Sequence, residues 1–121
     1  MIQDLKTQLR ARFNIDLDAA LKALGIPQNT YERILRLSMS STGDILATID
    51  AALARNDLAA VQRSAHELKG VYANMRIAPL QAAAQGMNDM ARTGASDEVR
   101  RYLNDFRRDL STLKELLGPG V

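Results

Sequence analysis

Chemistry has few places to reside in this chain. Its 121 residues include one histidine and no cysteine. The histidine, His66, lies in the run SAHELKGVYANM, with Arg63 three residues before it, Lys69 three after and Gly70 four after. Residues three and four apart share a helix face. A helix through this run therefore sets Ala59, Gln62, Arg63, Lys69, Gly70 and Ala73 around His66. A neutral imidazole nitrogen is a competent nucleophile towards phosphorus, and exposed imidazoles ordinarily titrate at about 6.5. A phosphoryl group on the ring would add about −1.5 to −2 charges, as on other phosphorylated side chains. Lys69 and Arg63 are two cations placed to hold it. Taken singly, each reads more readily as an ordinary charge on a solvated face.

Other chemistries find no support. There is no P-loop or other glycine-rich phosphate loop. One histidine and scattered carboxylates do not make a metal-ligand cluster, and no second histidine or base is in reach for a triad. Without cysteine there is no disulfide, thiolate metal site or thiol nucleophile, which fits a reducing compartment. Aromatics make up only 4% of the chain, with no tryptophan, so stacking platforms for single-stranded nucleic acid are not expected. The net charge of +2 comes from acidic and basic residues intermixed, not from a basic block. No apolar run approaches the roughly 20 residues of a membrane helix. The opening MIQDLKTQLRARF is charged throughout, unlike a secretory signal. These features lead to the expectation of a soluble, cytoplasmic protein, whether free-standing or cut from a longer chain.

The elements that must position His66 read as helices. The composition is rich in Ala and Leu, and apolar residues recur at helical spacing between a few breakers. Asp16 is the expected N-cap of a short helix carrying Leu17, Ala20, Leu21 and Leu24, ended by Gly25. A long helix is expected from near Gln28 to Arg55, with a weak point at SMSSTGD, where Ser and Gly are poor helix interiors. Asp57 caps the His66 helix. Pro79 suits the first turn of the next. Ser96 is the expected cap of the last, whose seam is Val99, Leu103, Phe106, Leu110, Leu113 and Leu117. Short connections between four substantial helices give an all-α, antiparallel up-down four-helix bundle with additional short N-terminal helices. The expected divisions are an N-terminal extension over 1–13, the bundle over 14–117 and a tail over 118–121. With the seams used up inside one bundle, a monomer is expected.

Within the His66 helix, Leu58, Val61, Ala65, Leu68, Tyr72 and Met75 recur at intervals of three and four, an uninterrupted seam. His66 lies off it, about 100° round from Ala65. It is therefore a surface histidine, not a core one. Gly70 is mid-helix, where glycine costs about 1 kcal/mol relative to alanine. With Ala59 and Ala73 it leaves a low surface that another protein's backbone can approach.

AHELKG, Ala65 to Gly70, resembles the His-x-Leu-Lys-Gly signature of histidine-containing phosphotransfer (HPt) domains. IDLDAALKALG is similar to the short entry helix of that family, and the stretch from Thr30 to Gly70 follows its long helix, turn and active-site helix in order and length. Leu80 falls where the family has a leucine. The resemblance runs from about Asn14 to Leu117. It implies that His66 is the phosphoacceptor, through its outer ring nitrogen. Lys69 would stabilise the phosphoryl group, and Gly70 would make room for a response-regulator receiver domain. Ala59, Gln62, Arg63, Ala73 and Arg76 would complete the docking face. The resemblance also implies a phosphocarrier, not an enzyme, working with a receiver and a hybrid histidine kinase. This chain would bind no cofactor, and Mg²⁺ would sit on the receiver.

Two positions depart from the family pattern. Arg76 stands where a small residue, often glycine, is usual, so a left-handed helix exit there would cost roughly 1 kcal/mol or more. Val71-Tyr72 follows Gly70 where small residues are usual, and Tyr72 is expected to be core. Competing readings are a scaffolding module of the same fold without phosphotransfer, and the phosphoacceptor domain of a chemotaxis-type kinase. A nucleic-acid-binding bundle, using Arg100, Arg101, Arg107 and Arg108, is a further reading. Asp105 and Asp109 between those arginines favour a solvated outer face, and no nucleic acid or membrane partner is expected.

Overall fold

The computed structural model describes residues 4–118. It contains α1 (Leu5–Phe13), α2 (Leu17–Leu24), α3 (Gln28–Ala54), α4 (Leu58–Asn74), α5 (Ala78–Arg92) and α6 (Ser96–Leu117). No strand occurs among the described residues. The fold is an all-α bundle. Residues 1–3 of the expected extension and 119–121 of the expected tail lie outside the described residues.

Helices α3 to α6 form the bundle. Three-residue connections turn each back on the last, α4 packs between α3 and α5, and α6 packs on α5. Polar ties between α3 and α6 set their direction. Arg36 near the start of α3 donates to the Leu117 carbonyl at the end of α6, and Asp50 near the end of α3 pairs with Arg107 in the middle of α6. The two helices are therefore antiparallel. The Arg36 bond also satisfies one of the carbonyls that a helix end leaves orphaned. The core takes Leu35, Leu46 and Ile49 from α3 and Val61, Ala65 and Leu68 from α4. Leu80 and Met87 come from α5, and the whole expected α6 seam is buried. Each of these Val, Leu, Ile, Met and Phe side chains contributes about 1.5–3 kcal/mol by leaving water.

Gly86 of α5 is buried, and a Cβ there would overlap the Tyr102 ring of α6, so glycine lets these helices close on each other. The N-terminal segment is tied in as well. Asp4 caps α1 by accepting from the Thr7 N–H at 2.8 Å. Leu5 and Leu9 are buried, and α1 packs on α2 and α6.

The long helix proves continuous through its weak point, and one expectation about local structure is corrected. The SMSSTGD stretch does not interrupt α3, which runs unbroken from Gln28 to Ala54. Its hydroxyls bond back to the helix: Ser38 donates to the Ile34 carbonyl and Thr42 to the Ser38 carbonyl. The buried Thr42 hydroxyl also meets the Tyr72 hydroxyl at 2.7 Å, so a tertiary contact holds the weak segment in place. Ser96 is not the cap of α6 but its first residue. Ala95 is the N-cap and gives no side-chain bond. The first-turn carboxylates of Asp97 and Glu98 are left to complement the helix dipole. Asp16 and Asp57 do cap α2 and α4, accepting from Ala19 and Ala60 N–H at 3.1 Å each, and Gly25 ends α2 at φ 69°.

The exits of α3, α4 and α5 share one geometry. At the end of α4, the Ile77 N–H bonds the Tyr72 carbonyl at 2.9 Å and the Arg76 N–H bonds the Ala73 carbonyl at 3.1 Å. Asp57 to Ala52 with Asn56 to Leu53, and Ala95 to Met90 with Gly94 to Ala91, repeat the pattern. The pivot is a left-handed residue, Asn56 (φ 55°), Arg76 (φ 60°) or Gly94 (φ 80°). Asn and Gly suit that conformation and Arg does not. The α4 exit is secured from α3, where the buried Tyr31 hydroxyl donates to the Met75 carbonyl at 2.6 Å. Burial pushes the Tyr31 phenol up to about 12, so it remains a donor at neutral pH. Arg76→Gly is expected to stabilise the fold by about 1 kcal/mol, raising the midpoint of thermal unfolding by about 3–5 °C for a domain of this size. A lower midpoint would show that the arginine side chain contributes more than its backbone strain removes.

Candidate functional site

The rotation of α4 about its own axis decides what its residues face. Val61, Ala65, Leu68 and Tyr72 are wholly buried, and the Tyr72 ring meets Phe106 edge-on with centroids 5.6 Å apart and planes at 74°. Tyr72 is thus a core residue, as its place on the seam implied. Burial raises the pKa of its phenol, against a smaller opposite pull from the Thr42 hydrogen bond. With that face fixed inward, His66 is exposed.

Beside His66 runs an open groove of about 590 Å³ between α4 and α5. Ala59, Gln62, Arg63 and His66 line it from α4, and Asn88 lines it from α5. All four α4 residues were singled out from the sequence. Asn88 was not. It lies on another helix and belongs to no local periodicity with His66, so only the packing of α5 against α4 reveals it. No carboxylate lines the groove. Among the described residues, no group of three His, Cys, Asp or Glu side chains is arranged to hold a metal ion.

The remaining candidates are spread further. Lys69 and Ala73 are half-buried on α4, outside the groove lining. Gly70 is exposed, and a Cβ built on it meets nothing within 4 Å. Arg76 is exposed but lines a separate recess with Asn14, Ile15, Asp16, Ala19, Ala20 and Ala78. The structure thus brings Ala59, Gln62, Arg63 and His66 together and sets Arg76 apart at the end of α4. The arginines of α6 each have an acidic neighbour: Arg100 with Asp97, Arg101 with Glu98, Arg107 with Asp50, and Arg108 with Asp105 and Asp109.

The profile of the Hpt domain family matches residues 33–117, most of the chain, and the protein belongs to that family. Hpt domains are phosphocarrier modules of phosphorelay signalling that interact with receiver domains and kinases. No curated protein and no solved structure matches the chain. Helices α1 and α2 precede the matched residues. No helix among the described residues is long and apolar enough to cross a membrane.

Gly70 has no packing reason inside the bundle. Gly70→Ala is expected to raise the stability of the isolated protein by about 0.5–1 kcal/mol in urea unfolding, through helix propensity alone. A loss of stability would mean that the position is packed, not open.

Proposed function

We propose that this chain is a phosphorelay intermediate that carries a phosphoryl group on His66 between the aspartates of response-regulator receiver domains. One observation supports this above the rest: the only histidine of a chain in the Hpt family is exposed at the edge of a groove free of carboxylates. The outer ring nitrogen, Nε2, attacks the phosphorus of an aspartyl phosphate on the receiver. The N–P bond forms as the P–O bond to the aspartate breaks, the carboxylate leaves, and the imidazolium sheds its Nδ1 proton to solvent. Transfer to a second receiver runs the same step backwards.

Phosphoryl transfer needs in-line positioning and charge neutralisation more than covalent help from the protein. The bundle supplies a fixed imidazole, and the receiver supplies its aspartate and a bound Mg²⁺. Lys69 stabilises the phosphoryl group. Gly70, with Ala59 and Ala73, leaves the surface low enough for the receiver backbone. Gln62, Arg63 and Arg76 contact the partner. A hybrid histidine kinase is the upstream source of phosphoryl groups, and the chain acts as a cytoplasmic monomer.

Incubation with a panel of ³²P-labelled receiver domains and Mg²⁺ tests this reading. Label should appear on the wild-type chain, stable to base and labile to acid, and be absent from His66→Gln, which keeps its helicity. Binding of a receiver without any transfer of label would replace the relay reading with a scaffolding one.

A further inference from the structure

The groove beside His66 lies on one side of it along the chain. Every α4 residue that lines it is His66 or precedes it, and Lys69, one turn beyond, does not line it. Helical side chains lean towards the helix N-terminus, so the surface a residue covers lies over the preceding turn. The imidazole of His66 therefore leans over the turn of Gln62 and Arg63. A group on its outer nitrogen projects into the part of the groove that those residues share with Asn88.

Arg63 is the only cation of the groove lining. It is exposed and enters no ion pair among the described residues. Its charge exerts a minor downward pull on the Asp57 carboxyl, smaller than those of the Ala60 N–H and of Arg55. In this it differs from the four α6 arginines described above, which all sit beside carboxylates. A guanidinium offers a planar fork of donors matched to phosphate oxygens, and holds such an anion with more directional definition than an ammonium.

From this placement we infer that Arg63 is a phosphoryl-positioning residue. Its guanidinium holds the phosphoryl group of phospho-His66 within the α4–α5 groove, while Lys69 approaches from the opposite end. The inference rests on His66 being the phosphoacceptor, and makes Arg63 more than a docking contact. It concerns the phosphorylated protein alone, so it can be tested without any receiver.

Phosphoramidate supplies the phosphoryl group. His66 Nε2 forms the bond to phosphorus, the P–N bond of the reagent breaks, ammonia leaves, and the ring gives up a proton. The phosphohistidine is then titrated by ³¹P NMR in the wild type, Arg63→Gln, Arg63→Lys and Lys69→Gln. The ³¹P shift follows protonation of the ring at Nδ1, and a cation held beside the dianionic phosphoryl group opposes that added positive charge. Arg63→Gln is therefore expected to raise the pKa of the phosphohistidine ring by about half a unit, a roughly three-fold gain in proton affinity, as suits one exposed charge. Arg63→Lys should recover most of the shift, and Lys69→Gln should move it less than Arg63→Gln does.

An Arg63→Gln protein that titrates with the wild type overturns the inference, as does a larger shift in Lys69→Gln. A wild-type protein that phosphoramidate leaves unlabelled overturns this and the carrier reading together. A chain that takes label from no receiver, yet shows the Arg63-dependent shift, loses the relay reading and keeps this one.

Discussion

The burial of one face of α4 is the constraint on which the rest depends. Val61, Ala65, Leu68 and Tyr72 can all leave water only at one rotation of the helix. That rotation turns His66 outward. The partners that hold it are spread over the fold. Thr42 of α3 meets the Tyr72 hydroxyl, Phe106 of α6 meets its ring, and Tyr31 of α3 holds the last carbonyl of the α4 exit. A change at any of these points would act on the imidazole through the setting of its helix, without touching it. This is how a small bundle fixes the setting of an exposed imidazole without a shell of hydrogen bonds around it.

The site itself is spare. It offers an exposed ring, an open groove, a cation without a carboxylate partner and a glycine that no neighbour requires. By itself such a surface directs little, because an exposed charge in water is screened. Exclusion of water by a docked partner would strengthen the same charges. On the reading proposed for this chain, the groove holds the phosphoryl group between encounters, and the partner brings the rest of the chemistry. The arginines of α6 contrast with Arg63. Paired with neighbouring carboxylates, they leave a mixed outer face with no unopposed positive field.

Much of the fold could be read from the sequence because it is written in local patterns. The three-and-four spacing on α4 and α6, the aspartates at positions 16 and 57, and Pro79 in a first turn each act within a few residues of themselves. The placing of His66 off the seam was legible for the same reason. What could not be read depends on distant parts of the chain meeting. Asn88 joins the groove only because α5 packs on α4. The Ser and Gly run of α3 stays helical partly through Thr42 and a tyrosine 30 residues away. Arg76 occupies a left-handed exit because the turn it shares with Asn56 and Gly94 is set by the helices on either side, whatever its own preference. Ser96 is the opposite case, since a residue well suited to capping lies one place inside the helix it was expected to cap.

The central claim is that the bundle presents a preformed phosphoacceptor, and one comparison addresses it directly. Backbone amide spectra of the chain would be recorded before and after phosphoryl transfer from a receiver, with the modified nitrogen located by ¹⁵N–³¹P coupling. The account predicts a single phosphoramidate signal at Nε2 of His66. It predicts amide shifts confined to α4 around residues 59–70 and to α5 around Asn88, with α3 and α6 unmoved. Phosphorus on another residue, or shifts spread through the bundle core, would contradict it.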